Sequence, residues 1–183
     1  MDSHRSILFE VIDHVAWITL NRRGTLNAVD HVMAGELREA WSEAATKPGV
    51  AGVVVVGAGS EAFSLGIDRS PGSALAQIDS FMLPELGLLP LVVAVNGMAC
   101  AEALTLLRAA DSVVAAQHAC FCPGRPPVRQ RATDVLTATE ANAAGLVETV
   151  VPLKRLRTEA QKTVTRLAEG RDSAPDRWEP VRE

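Results

Sequence analysis

Three short runs, AGVVVVGAG at 51–59, LVVAVNG at 91–97 and DSVVAAQ at 111–117, are apolar through their centres rather than on alternate residues. A strand with one face to water alternates polar and apolar side chains, whereas a strand buried on both faces has no reason to. The runs therefore predict strands of a parallel sheet covered on both sides, joined by right-handed crossovers. Helix-compatible segments lie between them at about 73–88 and 101–109. The fold class that follows is α/β, with parallel sheets covered by helices.

The flanking segments fit the same scheme. SILFEVI and HVAWITL lie on either side of Asp13 and read as a hairpin, with Trp17 and Thr19 facing away from Ala16 and Ile18. In AVDHVMAGELREAWSEAAT, Asp30 suits a helix N-cap, Val32, Met33, Leu37, Trp41 and Ala44 recur at helical spacing, and Pro48-Gly49 ends the segment. ATEANAAG reads as a short helix closed by Gly145 and LVETVVP as a strand. PLKRLRTEAQKTVTRLAEG reads as a helix with Pro152 at its start and Gly170 after it. One domain over 1–168 with a polar tail over 169–183 is expected, since 183 residues suffice for a single core.

Composition excludes several function classes. A formal net charge of −4 does not supply the Lys and Arg excess that grips a phosphate backbone, so no nucleic-acid partner is expected. No segment approaches the roughly 20 apolar residues of a membrane span. Glu10, Asp13 and His14 interrupt the start where a secretory leader would be apolar, so no membrane partner and a cytoplasmic setting are expected. Three cysteines, Cys100, Cys120 and Cys122, cannot all pair within one chain and read as small buried thiols. His118, Cys120 and Cys122 alternate, which would align them on one strand face, but no fourth metal ligand lies nearby and no metal is expected. His14 and His31 read as surface or strand-edge residues.

In sheets of this kind ligands gather at the carboxyl ends of strands, where backbone N–H groups are free. Two junctions qualify, SEAFSLGID after the first apolar run and NGMACAE after the second. Here the chain resembles a known family. HVAWITLNRRGTLNAVD, GVVVVGAGSEAFSLGID, PLVVAVNGMACAEALTLLRAADSVVAAQHACF and TATEANAAGLVETVVP fall in the order and near the spacing seen in the crotonase family of enoyl-CoA hydratases and isomerases. The resemblance covers roughly residues 6–168. It implies a crotonase-like ββα superhelix, a usual trimer, and an acyl-CoA thioester as substrate with no separate cofactor.

Chemistry beside a thioester carbonyl puts negative charge on its oxygen, and two fixed backbone N–H groups can stabilise it, each by about 2.7–4 kcal/mol. The resemblance implies one donor at Ile67, after Gly66 of FSLGID, and a second at Glu102, where the family has the middle glycine of three and this chain has AEA. The implied lining comprises Ala28, Ser64, Leu65, Gly66, Gly97, Ala101 and Thr105, with Arg22 and Arg23 near the CoA phosphates. Lys154, Arg155 and Arg157 form a further basic edge. Two readings of the Glu102 side chain stay open: it caps the helix start, or it turns to the acyl group as an acid or base with a pKa raised by burial. Asp68 is a lesser acid candidate. Ser64 has no His beside it in sequence to make it a nucleophile.

The family's hydratases handle water with two glutamates. The corresponding positions here are Thr105 and the neighbourhood of Arg125, and the one carboxylate between Glu102 and Asp134 is Asp111, a turn or cap residue by the same resemblance. RPPVRQRATDVLTATEA also joins two family blocks almost directly, and the C-terminal helical region is shortened. The expectation is an acyl-CoA binding protein with weak or no hydratase activity, as a homo-oligomer or an accessory subunit. The alternatives are an enzyme using Glu102 or Asp68 as acid or base, and a structural partner subunit without catalysis.

Overall fold

The computed structural model describes residues 6–70, 86–124 and 135–172. Strands β1 (Ile7–Ile12) and β2 (Val15–Leu20) form an antiparallel hairpin whose two-residue turn, Asp13-His14, has positive φ at both positions. That turn matches the right-handed twist of the paired strands. A 3-10 turn at Arg23–Thr25 leads to helix α1 (His31–Thr46), where Asp30 caps the start by accepting from the Met33 amide at 2.8 Å. Val32, expected on the buried stripe, faces solvent instead, while Met33, Leu37, Trp41 and Ala44 are buried. The helix phase follows the four that repeat by three and four residues, and Val32 falls one position outside it.

From there each turn of the chain lays one strand into each of two sheets. β3 (Gly52–Gly57), β5 (Leu91–Val95) and β7 (Ser112–Ala116) enter a six-stranded sheet of order β1-β2-β3-β5-β7-β10, parallel from β2 onward. β4 (Ala62–Ser64), β6 (Met98–Cys100) and β8 (Cys120–Cys122) enter a four-stranded sheet closed by antiparallel β9 (Leu136–Thr137). Helix α2 (Ala103–Ala109) follows β6, α3 (Ala138–Ala143) follows β9, and α4 (Leu156–Asp172) follows β10 (Thr149–Val151) and a 3-10 turn at Leu153–Arg155. The all-apolar runs are the strands buried on both faces. Val53 and Val55 point into a core with α1, α2 and the small sheet, and Val54 and Val56 into a second core under α4. Ala16 and Ile18 share the first of these and Trp17 the second, as their opposite facing requires.

Some boundaries differ from expectation. α4 runs through Gly170 to Asp172 and so passes the boundary expected at 168. Its end is held to the sheet, because Arg171 donates to the Leu88 carbonyl and pairs with Asp111, whose other oxygen accepts from the Leu91 amide. Asp111 is thus a tie between elements. α3 begins with a capping box between Thr137 and Glu140. His118 lies outside β8 with its ring on the Ser60 carbonyl, Cys100 and Cys122 are buried, and the described residues contain no cluster of three or more His, Cys, Asp or Glu placed to hold a metal. Burial pushes the Cys100 thiol far up, which keeps it protonated. Most of the helix-compatible segment at 73–88, the Arg125 and Asp134 positions, and the tail from 173 lie outside the described residues. No described helix is long and apolar enough to cross a membrane.

Two of the corners that connect the sheets are Gly57–Ala62 between β3 and β4 and Asn96-Gly97 between β5 and β6. They touch backbone to backbone. A Cβ on Gly97 would lie 2.4 Å from the Glu61 carbonyl oxygen, and one on Gly57 would lie 2.6 Å from that of Ala62. Asn96, 2 % exposed, accepts from the Gly57 amide and donates to the Gly59 and Ala62 carbonyls. Because backbone cannot move aside as a side-chain tip can, Gly97→Ala should lower unfolding free energy by on the order of 3 kcal/mol or leave the chain unfolded, as chemical denaturation would show.

Candidate functional site

β4 and β6 are parallel neighbours, so the segments leaving their carboxyl ends emerge side by side. After β4 comes Leu65-Gly66-Ile67-Asp68, and after β6 come Ala101 and Glu102 at the start of α2. The first segment is fixed at several points. Ser64 Oγ donates to the Asn27 carbonyl and accepts from the Gly66 amide, Val29 donates to the Gly66 carbonyl at 2.8 Å, and Asp68 donates to Val29 at 2.7 Å. Gly66 has φ +86°, a left-handed conformation that glycine adopts without strain, and the Ile67 amide is turned away from these backbone pairings.

The Ile67 amide donates to Glu102 Oε2 at 3.1 Å. The second carboxylate oxygen, Oε1, accepts from the Arg69 guanidinium at 2.6 Å. Glu102 itself has ordinary helical backbone (φ −63°, ψ −22°) and makes no side-chain bond to cap α2. The capping reading is therefore corrected: the carboxylate is drawn across to a partner amide and a cation rather than to its own helix. The expectation of a raised pKa is corrected too. Burial alone would push the carboxyl up, but hydrogen bonds from the Ile67 amide and from its own amide, followed by Arg69, outweigh it and hold the group below its ordinary 4.5. Both backbone groups implied as oxyanion donors thus favour one anion, and that anion is the Glu102 side chain.

Asp68 is 6 % exposed and equally committed. Oδ1 accepts from the Ser70 amide at 3.0 Å and from its hydroxyl at 2.6 Å, and Oδ2 accepts from Arg22 at 3.1 Å. The Ser70 hydroxyl first, against opposing burial, and then the Ser70 amide and Arg22 hold its carboxyl below 3.8. With both oxygens occupied, Asp68 ties the loop to Ser70 and Arg22. Arg22 differs from expectation for the same reason. Its guanidinium pairs with Asp30 and Asp68 and donates to the Ala28 carbonyl, so it is spent on internal contacts rather than held out to phosphates.

The other expected residues divide clearly. Arg23 is exposed and, with Leu26, Gly59 and Ser60, borders a cavity of about 270 Å³ beside the corner. Ser64 is fully buried, with its hydroxyl used in both directions. Gly97 packs on the Glu61 backbone, and Ala28 is buried, so these two shape the site from behind. Leu65 and Ala101 are half-buried, and Thr105 is exposed on α2. Ala101, where the family has a glycine, keeps a left-handed φ of +51°. Arg157 stacks on the Trp17 ring at 4.3 Å, and Lys154 and Arg155 are exposed.

Three residues at the site escape a reading of the sequence. Asn27, 1 % exposed, accepts from the Arg22 amide and donates to the Ala58 and Ala62 carbonyls. Asn96 acts on the same Ala62 carbonyl from the other side. Arg69 supplies the Glu102 counter-charge. The available signal for Arg69 was charge: an acid next to an apolar strand end calls for a cation, and Arg69 directly follows the FSLGID motif.

Residues 10–125 match the sequence profile of the enoyl-CoA hydratase/isomerase family. The (E)-benzylidenesuccinyl-CoA hydratase of Thauera aromatica is 30% identical over 144 residues, 74% of this chain and 56% of that protein. A Mycobacterium tuberculosis protein described as a probable enoyl-CoA hydratase is 38% identical over 131 residues, 66% of this chain and 51% of that one. The chain thus spans about half the length of these two relatives. Among solved structures, an enoyl-CoA hydratase/isomerase from Xanthobacter autotrophicus superposes with a TM-score of 0.74 at 27% identity, covering 93% of this chain and 79% of that one.

Two measurements check this geometry. A group whose folded-state pKa is depressed stabilises the fold fully above its ordinary pKa and loses that contribution as pH falls through the folded value. Glu102→Gln should therefore cost on the order of 1 kcal/mol at pH 7 and flatten the fall of Tm below pH 4.5, the ordinary value. A slope unchanged by the substitution would mean the carboxylate is not held there. Ala101→Gly should hold or raise stability by up to about 1 kcal/mol, since it removes a left-handed Cβ.

Proposed function

The chain belongs to the enoyl-CoA hydratase/isomerase family, and from that premise we propose that it binds an acyl-CoA thioester at the Ile67–Glu102 junction without the paired carboxylates that hydration needs. CoA thioesters are the substrate class that the relatives' names share. The Ile67 amide supports this reading, because it already holds an oxygen anion at 3.1 Å, within the range of an oxyanion donor.

The observation that carries the second half is the occupancy of the acids. Glu102 spends one oxygen on the Ile67 amide and the other on Arg69, and Asp68 spends both on Ser70 and Arg22. A carboxylate so held, with its pKa depressed, is a poor base and a worse proton donor near neutral pH. Thr105, at the position the resemblance gives to one hydratase glutamate, carries no ionisable group. Positioned acid–base groups contribute about 10²–10⁴-fold to such reactions, so their loss leaves hydration slow. The protein then serves as a thioester-binding member of its family, alone as a trimer or as an accessory subunit, in the cytoplasm.

Calorimetric titration with crotonyl-CoA, followed by absorbance of the enoyl thioester, tests both halves. Saturable binding with the enoyl signal persisting is expected. Absence of binding would remove the thioester reading, and turnover of about 1 s⁻¹ or faster, typical of working enzymes, would remove the claim that hydration is lost.

A further inference from the structure

We propose that the Glu102 carboxylate is a built-in ligand of the thioester cradle, latched there by Arg69, so that an acyl thioester enters only by displacing it. The inference rests on the thioester reading above and adds how access to the site is controlled.

The Ile67 amide has one hydrogen, and it points to Glu102 Oε2. A thioester carbonyl oxygen seeking that donor needs the same position, so the two acceptors exclude one another. The position is also tightly bounded. A Cβ on Gly66 would lie 2.3 Å from Glu102 Oε2 and 3.1 Å from the Glu102 amide nitrogen, so the carboxylate rests against the bare Cα of Gly66. That is the space a glycine leaves for close approach of a ligand atom. Meanwhile Arg69 grips the other oxygen at 2.6 Å, which orients the carboxylate and offsets its charge beside the amide.

The same contacts make the latch one that opens. The Arg69 side chain is 51% exposed, so water screens its pairing with a Glu102 side chain that is itself 22% exposed. Glu102 stands on ordinary helical backbone, and none of its side-chain bonds holds α2 together. Rotation of one side chain about its own torsions therefore frees the Ile67 amide with no change of fold. The carboxylate then goes to solvent, and the amide passes from a charged acceptor to the neutral carbonyl oxygen of the thioester.

Binding of crotonyl-CoA and of butyryl-CoA should be measured by calorimetry for the wild type, Glu102→Ala and Arg69→Met, alongside hydrogen exchange at the Ile67 amide. Removing the carboxylate should tighten thioester binding roughly 10- to 100-fold, the worth of a charged hydrogen bond. Arg69→Met, which loosens the latch and keeps the acid, should give a smaller gain and stands in if the alanine variant does not fold. The Ile67 amide should exchange faster in both variants than in the wild type. Equal affinities across the three proteins, or an Ile67 amide no less protected without the carboxylate, overturn the latch and leave the thioester reading standing. If no variant binds either thioester, the thioester reading has failed and the proposal falls with it.

Discussion

Two buried asparagine amides meet on one carbonyl oxygen, that of Ala62, and the geometry of the site follows from that meeting. Asn27 Nδ2 reaches it at 2.9 Å and Asn96 Nδ2 at 3.1 Å. The same Nδ2 groups also donate to the Ala58 and Gly59 carbonyls, and the two Oδ1 atoms accept from the Arg22 and Gly57 amides. Buried amides left without partners cost about 1–3 kcal/mol each, so a network satisfied to this degree admits few alternatives. It fixes where β4 begins, Ser64 carries the constraint on to Gly66, and the Ile67 amide is aimed as a result. The cradle is rigid because the corner beneath it is.

On this rigid base sits an arrangement of opposite charges. Arg22 lies among Asp30, Asp68 and the Ala28 carbonyl, and Arg69 lies on Glu102. Neither arginine, and none of these three acids, is left bare. A site built for proton transfer keeps a carboxyl group in poor company, buried away from donors, so that its pKa climbs toward neutrality. Here the company is generous and the pKa values fall. Both carboxylates are held as anions by the donors around them.

Much of the scaffold was legible in the amino-acid sequence because local physics decided it. Val53 to Val56 announce a strand buried on both faces, and Asp30 announces a helix start. What stayed hidden depends on partners far along the chain. The direction of the Glu102 side chain is set by Ile67 and Arg69, 35 and 33 residues earlier, and no window of sequence around Glu102 contains them. The polar pins have the same character, since Asn27 and Ala62 are 35 residues apart. Gly170 was misplaced for a different reason: a glycine near a helix end reads as its stop, but the tie from Arg171 to Leu88 and Asp111 carries α4 past it. Family resemblance implied two donor positions, Ile67 and Glu102. It carried no information about what would fill the space between them.

One backbone detail bears on how such a protein changes over generations. Ala101 strains against a left-handed φ, and Gly97 tolerates no addition, but position 102 has plain helical torsions, so backbone strain does not restrict the side chain it carries. Glutamate and glycine codons differ by a single base. A single base change can therefore replace the carboxylate with hydrogen at a position whose backbone torsions do not depend on it, at the cost of the bonds to Ile67 and Arg69.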